Sequence, residues 1–182
     1  MSSATDKPVI VLRPAVAADA PLLAKWDGEP HVIACVTDDP EASTAFEGAD
    51  WAGELASQSD VFQYSIAEAD GRPIGAMLDI DPAREPYGYW GDCSADLRAL
   101  DIWIGEPDAL GQGFGTDMMT QAIDACFAAP EVTAIVIDPL ASNADAHRFY
   151  QRLGFRPVER RLFGSDDCLV HRLERAEWEA RS

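Results

Sequence analysis

Residues 101–116 combine an acidic residue in an apolar run with three glycines at alternate positions. They read Asp101-Ile102-Trp103-Ile104-Gly105, then Leu110-Gly111-Gln112-Gly113-Phe114-Gly115-Thr116 after a short spacer. Glycines at that density let the backbone approach a ligand closely and aim several N–H groups one way. A helix starting directly behind them adds the positive end of its dipole, and the combination suits a pyrophosphate. The G-x-G-x-G spacing is not the G-x-G-x-x-G of dinucleotide-binding folds, and no Gly-Lys-Ser/Thr follows to make a P-loop. Taken alone, the run reads as a flexible turn, so its surroundings decide.

Other groups with chemical potential are sparse. Asp101 and Asp138 interrupt otherwise apolar strand segments, where an acid is either an edge charge or a working carboxylate. Tyr150 follows Phe149 on an amphipathic stretch, where packing is the plain reading. Asp166 and Asp167 precede the last strand, in a loop where acids are usually only solvated. His31, His147 and His171 are dispersed, with no Cys or carboxylate spacing that makes a metal site. Cys35, Cys93, Cys126 and Cys168 form no CxxC pair and read as free thiols in a reducing, cytoplasmic compartment.

These residues need elements to position them. The pattern predicts strands over 9–13, 61–68 and 74–80, the last two joined by the turn Ala69-Asp70-Gly71-Arg72. Further strands are expected over 97–104, 132–137, 155–161 and 168–173. Helices are expected over 19–26, 43–57, 116–128 and 143–153, the third stopped by Pro130 and the fourth by Gly154. Residues 28–40 are rich in breakers and read as loop or broken helix. Strand–helix–strand through 97–137 implies a parallel pair within a mixed sheet. One α/β (α+β) domain over residues 1–182 accounts for the whole pattern, with a mixed, mostly antiparallel sheet and flanking helices.

Composition narrows the partners. Thirty-two acidic residues against 14 basic ones give a net charge of −18. Nucleic-acid backbones select the opposite balance, so no nucleic-acid partner is expected. No apolar run approaches the ~20 residues of a membrane span, so no membrane partner is expected. Such a field attracts a cationic ligand, although a merely acidic soluble protein has the same composition.

Three segments together resemble the GNAT superfamily of N-acetyltransferases. They are Asp101 to Thr116, Ile137-Asp138-Pro139 with Asn143, and Phe149-Tyr150 with Leu153-Gly154-Phe155. Within that superfamily the likeness is nearest to aminoglycoside 6′-N-acetyltransferases, and it is strong over residues 97–155. The resemblance implies that acetyl-CoA is the cosubstrate, that the parallel strands splay, and that CoA threads between them. It implies that Gly111, Gln112, Gly113, Phe114, Gly115 and Thr116 hold the pyrophosphate. Asn143 contributes nearby, and a backbone N–H among Ile102, Trp103 and Ile104 polarises the thioester. It carries Asp101 onto the base and Tyr150 onto the general acid. Asp138 becomes an acceptor carboxylate, and Asp166 falls near where relatives keep another.

Two departures stand out. Leu110 occupies a position where the superfamily commonly has Arg or Gln, so phosphate binding must lean on backbone groups. After His31-Val32-Ile33-Ala34 the chain continues Cys35-Val36, without the tryptophan pair of relatives. Trp26, Tyr89 and Trp90 are the aromatic candidates for the acceptor site, and Trp51 and Tyr87 are available to build its wall. The implied acceptor is a cationic small-molecule amine, the 6′-amine of an aminoglycoside. A siderophore precursor, a polyamine or a protein N-terminus are alternatives, as is a non-catalytic acyl-CoA-binding module. The resemblance is also compatible with a homodimer.

Overall fold

A computed structural model describes residues 7–181. Seven strands form one mixed sheet in the order β1-β2-β3-β4-β5-β7-β6. They are β1 (Ile10–Pro14), β2 (Phe62–Ala69), β3 (Arg72–Ile80), β4 (Leu97–Ile104), β5 (Ala134–Ile137), β6 (Arg156–Phe163) and β7 (Asp166–Glu174). Only β4 and β5 run parallel; every other neighbouring pair is antiparallel. The crossover between the parallel strands contains α4 (Phe114–Ala128), since parallel neighbours need a long connection, usually a helix.

The alternation of β2 decides which helices lie on which face. Tyr64 and Ile66 point into a cluster with Leu23, Trp26, Val32, Trp51 and Leu55, the buried sides of α1 (Ala20–Asp27), α2 (Pro30–Val36) and α3 (Trp51–Ala56). On the opposite face Leu100, Ile135 and Ile137 meet Met118, Met119 and Ile123 of α4 and Leu153 of α5 (Ala144–Leu153). A third cluster joins Leu97, Val136 and Val170 beneath Trp90 and Phe163.

The N-terminal helices depart from the sequence reading. Residues expected as a loop or broken helix contain α2, because Pro30 stands in its first turn, where a missing N–H costs nothing. The helix expected over 43–57 shrinks to α3. Glu47 is left-handed with φ 52°, and the buried Asp27 carboxylate accepts from the Phe46 N–H at 2.8 Å and the Trp51 Nε1 at 3.2 Å. That acid holds residues 43–50 as turns rather than helix. A short α6 (Arg175–Glu179) follows β7 and was not expected.

Candidate active site

The parallel pair comes apart where the chemistry is expected. Pairing between β4 and β5 covers only Leu97–Ala134, Arg98–Ile135 and Ala99–Val136, while β4 runs on to Ile104. Two residues beyond the last pair stand Asp101 on one strand and Asp138 on the other. Because side chains alternate, both leave the sheet on the face of Ala99 and Val136. Sequence places these two acids 37 positions apart; the register brings them level across the mouth of the gap.

The hydrogen-bond phase of β4 selects which backbone groups face that gap. Gly105 N donates to Ile74 O on the β3 side at 2.9 Å, and Asp96 O accepts from Thr133 N on the β5 side at 2.8 Å. Antiparallel strands alternate their bonding direction, so odd-numbered residues of β4 turn to β3 and even-numbered ones to β5. Beyond Ala99 the N–H groups of Ile102 and Ile104 therefore point into the opening. The Ile104 carbonyl accepts from His31 Nε2 at 2.8 Å, which puts the proton on that nitrogen. Trp103 is corrected by the same argument. Its backbone belongs to the β3 ladder opposite Ala76, and its side chain lines a cavity on the same face as Asp101.

Burial, and second the charge of Asp138, pushes the Asp101 carboxyl up to about 7. Asp138 is also raised by burial, against a hydrogen bond from the Tyr89 hydroxyl at 2.5 Å that favours its charged form. Tyr89 is held by stacking on Phe163, with centroids 4.5 Å apart. Tyr150 is buried on α5 and edge-on to Phe155. Burial, then the fields of Asp101 and Asp138, raises its hydroxyl well above the usual phenol value, so it keeps its proton at neutral pH.

The glycine run lies at the start of α4. Gly111 and Gly113 have φ of 71° and 79°, left-handed values that other residues adopt only with strain. The first N–H of this stretch to find a backbone carbonyl is Thr116, at 3.2 Å from Gly113 O. Among the described residues the preceding N–H groups have no partner, which leaves them for a ligand at the positive end of a 15-residue helix. Leu110 is exposed and apolar. Lys7 sits beside this loop, 2.5 Å from Asp117 and 3.4 Å from Gly113 O. Asn143 caps α5, its Oδ1 accepting from Ala146 N at 3.0 Å. The opening between β4 and β5, the free N–H groups and the helix end together fit a CoA-type ligand.

A cavity of about 270 Å³ reaches Asp101 from the α1–α3 side, walled by Phe46, Trp51, Glu54, Tyr64 and Trp103, with Tyr87 at its edge. Phe46, Glu54 and Tyr64 were not expected at the acceptor site from the sequence. Only the alternation of β2 hinted at Tyr64, and nothing local places α3 over β4. Three expected acceptor residues do not line this cavity. Trp26 is fully buried, its Nε1 donating to Glu106 at 2.8 Å, with Gly105 pressed on its indole. Trp90 is buried edge-on to Phe163 and backs Tyr89 instead of facing the cavity. Asp166 accepts from Thr37 Oγ1 at 2.8 Å and Asp38 N at 3.2 Å, tying β7 to the end of α2. Among the described residues, no group of three or more His, Cys, Asp or Glu side chains is arranged to hold a metal.

Comparison with known proteins agrees with this geometry. Residues 15–163 match the family model described as the acetyltransferase (GNAT) domain. The chain is similar to aminoglycoside N(6′)-acetyltransferase type 1 of Klebsiella pneumoniae, 27% identical over 148 residues, 80% of this chain and 73% of that protein. Its fold is similar to that of aminoglycoside acetyltransferase AAC(6′)-Ib in complex with coenzyme A and kanamycin. The TM-score is 0.81 at 24% identity, covering 96% of this chain and 100% of that one. Spermidine N-acetyltransferase from Vibrio cholerae, in complex with CoA and spermine, has a TM-score of 0.72 at 15% identity, over 93% and 98% of the two chains. The protein is an N-acetyltransferase that uses acetyl-CoA as its cosubstrate, and it belongs to the acetyltransferase (GNAT) domain family.

Proposed function

We propose that the protein acetylates a primary amine of a polycationic small molecule, the 6′-amine of an aminoglycoside. The observation that carries this reading is the pair Asp101 and Asp138, level with each other where β4 and β5 part. Acetyl-CoA supplies the acetyl group as an activated thioester. The free N–H groups of residues 111–115 and the end of α4 hold its pyrophosphate, and Ile102 N–H polarises the carbonyl.

Asp101 accepts the proton that the ammonium must lose. An unperturbed carboxyl near ~3.9 is a weak acceptor from an ammonium near ~10; the raised value of Asp101 narrows that gap. Asp138, steadied by Tyr89, holds positive charge on the acceptor beside the reacting amine. Tyr150 O–H holds the proton that the leaving sulfur needs. The reaction places the enzyme in the cytoplasm, where acetyl-CoA and the chain's unpaired thiols are both at home.

Thiol release measured over kanamycin, tobramycin, spermine and peptides tests the reading. Turnover of the two antibiotics supports it. Turnover confined to spermine or to peptides replaces the acceptor, and CoA binding without release on any of them would falsify the aminoglycoside assignment.

A further inference from the structure

The cavity beside Asp101 contains a second carboxylate that the acetyl-transfer steps leave unused. Glu54 of α3 lines the same space as Asp101, and among the described residues no Lys, Arg or His lines it with them. Glu54 Oε2 accepts from the Tyr64 hydroxyl at 3.2 Å, which fixes the direction of the carboxylate. The sheet register sets the spacing. Tyr64 lies opposite Leu78, and Leu78 opposite Asp101, so the three form one row across adjacent strands. At roughly 4.8 Å per strand the ends of the row stand about 10 Å apart, and Glu54 lies off the Tyr64 end.

The wall between the two acids is aromatic. Phe46 meets Trp51 edge-on at 5.4 Å and Trp103 at 4.9 Å, while Trp51 meets Tyr64 edge-on at 5.8 Å. Such rings accept a slender carbon framework and stabilise ammonium groups at their faces. A space of about 270 Å³ is below the ~300 Å³ at which pockets begin to enclose whole drug-sized molecules. Such a space suits one ring or one short chain of an acceptor, with an anion near each end and, among the described residues, no cation lining it.

We propose that Glu54 determines acceptor specificity by holding a second ammonium, so that preferred acceptors are dications whose two amines flank a slender carbon framework. This rests on the reading that the cavity receives the amine acceptor. A monoamine compensates Asp101 and leaves Glu54 stranded in an aromatic slot; a diamine compensates both. Burial, then the fields of Glu54 and Asp101, raises the Tyr64 hydroxyl far above the phenol range, so it remains the donor that aims Glu54.

The test compares wild type, Glu54→Gln and Tyr64→Phe on kanamycin, α,ω-diaminoalkanes of increasing length and 1-aminoalkanes of matching length. Thiol release gives kcat and KM, and calorimetry gives diamine binding in the presence of CoA. Wild type should prefer the best diamine over its monoamine by about tenfold in kcat/KM. Glu54→Gln should remove most of that preference through KM, with monoamines changed less than about twofold, and Tyr64→Phe should produce a smaller loss in the same direction. Equal losses on monoamines and diamines, or an undiminished diamine preference, would overturn the proposal. If no amine releases thiol, the aminoglycoside assignment fails as a reading. Calorimetry still judges Glu54: weaker diamine binding in Glu54→Gln supports it, and unchanged binding rejects it.

Discussion

In the proposed reaction Asp101 carries two opposing demands, since it must be charged to attract a cation and basic enough to take its proton. Burial and the neighbouring Asp138 reconcile them by raising its pKa to about 7. We therefore expect kcat/KM for an amine to rise with pH through an acid limb near 7. Asp101→Asn should lose that limb and about 10²–10⁴ of the rate while still binding CoA, read from pH–rate profiles beside CoA titration. The same shift has a stability consequence. A carboxyl raised in the fold binds protons that the unfolded chain releases, so stability falls as pH rises from the unfolded value near ~4 through the folded one. Urea unfolding at pH 5 and pH 8 should show Asp101→Asn gaining relative to wild type at the higher pH. Tyr150 keeps its proton across this range, so Tyr150→Phe should lower kcat by at least about 10²-fold with little change in KM.

At the level of elements, the anion site depends on how α4 begins. Gly113 occupies a left-handed conformation at φ 79° directly before the helix. Gly113→Ala should destabilise the fold by about 1–2 kcal/mol and raise the Kd for CoA, measured by thermal melts and calorimetry. Asn143 starts α5 by capping Ala146 N, and losing that cap in Asn143→Ala should cost about 1 kcal/mol. Melt and CoA affinity read separately tell a cap from a ligand contact. Both helix starts were legible in the sequence, because glycine runs and Asn caps act within one turn. The α2–α3 region was not. Its conformation depends on the buried Asp27, whose partners Phe46 and Trp51 lie 19 and 24 residues away, beyond the reach of local propensity.

For the molecule as a whole, charge is the dominant quantity. A net −18 attracts cationic acceptors and repels acetyl-CoA, and salt screens both effects within a Debye length of about 8–10 Å. Raising ionic strength should therefore increase KM for a polycationic acceptor and decrease KM for acetyl-CoA; parallel changes in steady-state kinetics would contradict this. On the acid side a different group acts. His171 is fully buried, with Nδ1 against Leu169 O at 2.8 Å and Nε2 without a hydrogen-bond partner among the described residues. Burial lowers its pKa. The unfolded chain gains a proton near ~6.5 that the fold resists, so this contribution to stability is lost as pH falls through that range.

The segment from Asp101 to Thr116 shows where sequence and tertiary structure divide the work. The glycine turn that leads into α4, the proposed pyrophosphate cradle, was readable from residues 111–116, because its parts are contiguous and depend on backbone freedom and a helix end. The parallel strands followed from a strand–helix–strand order whose handedness physics restricts. Three other features came only from the assembled sheet. They are the level pairing of Asp101 with Asp138, the choice of Ile102 over Trp103 as the inward-facing donor, and the aromatic cavity that joins Glu54 and Tyr64 to Asp101. Each depends on strand register or on which helix covers which face. A one-residue slip reverses such relations without altering local composition, so no single stretch of sequence encodes them.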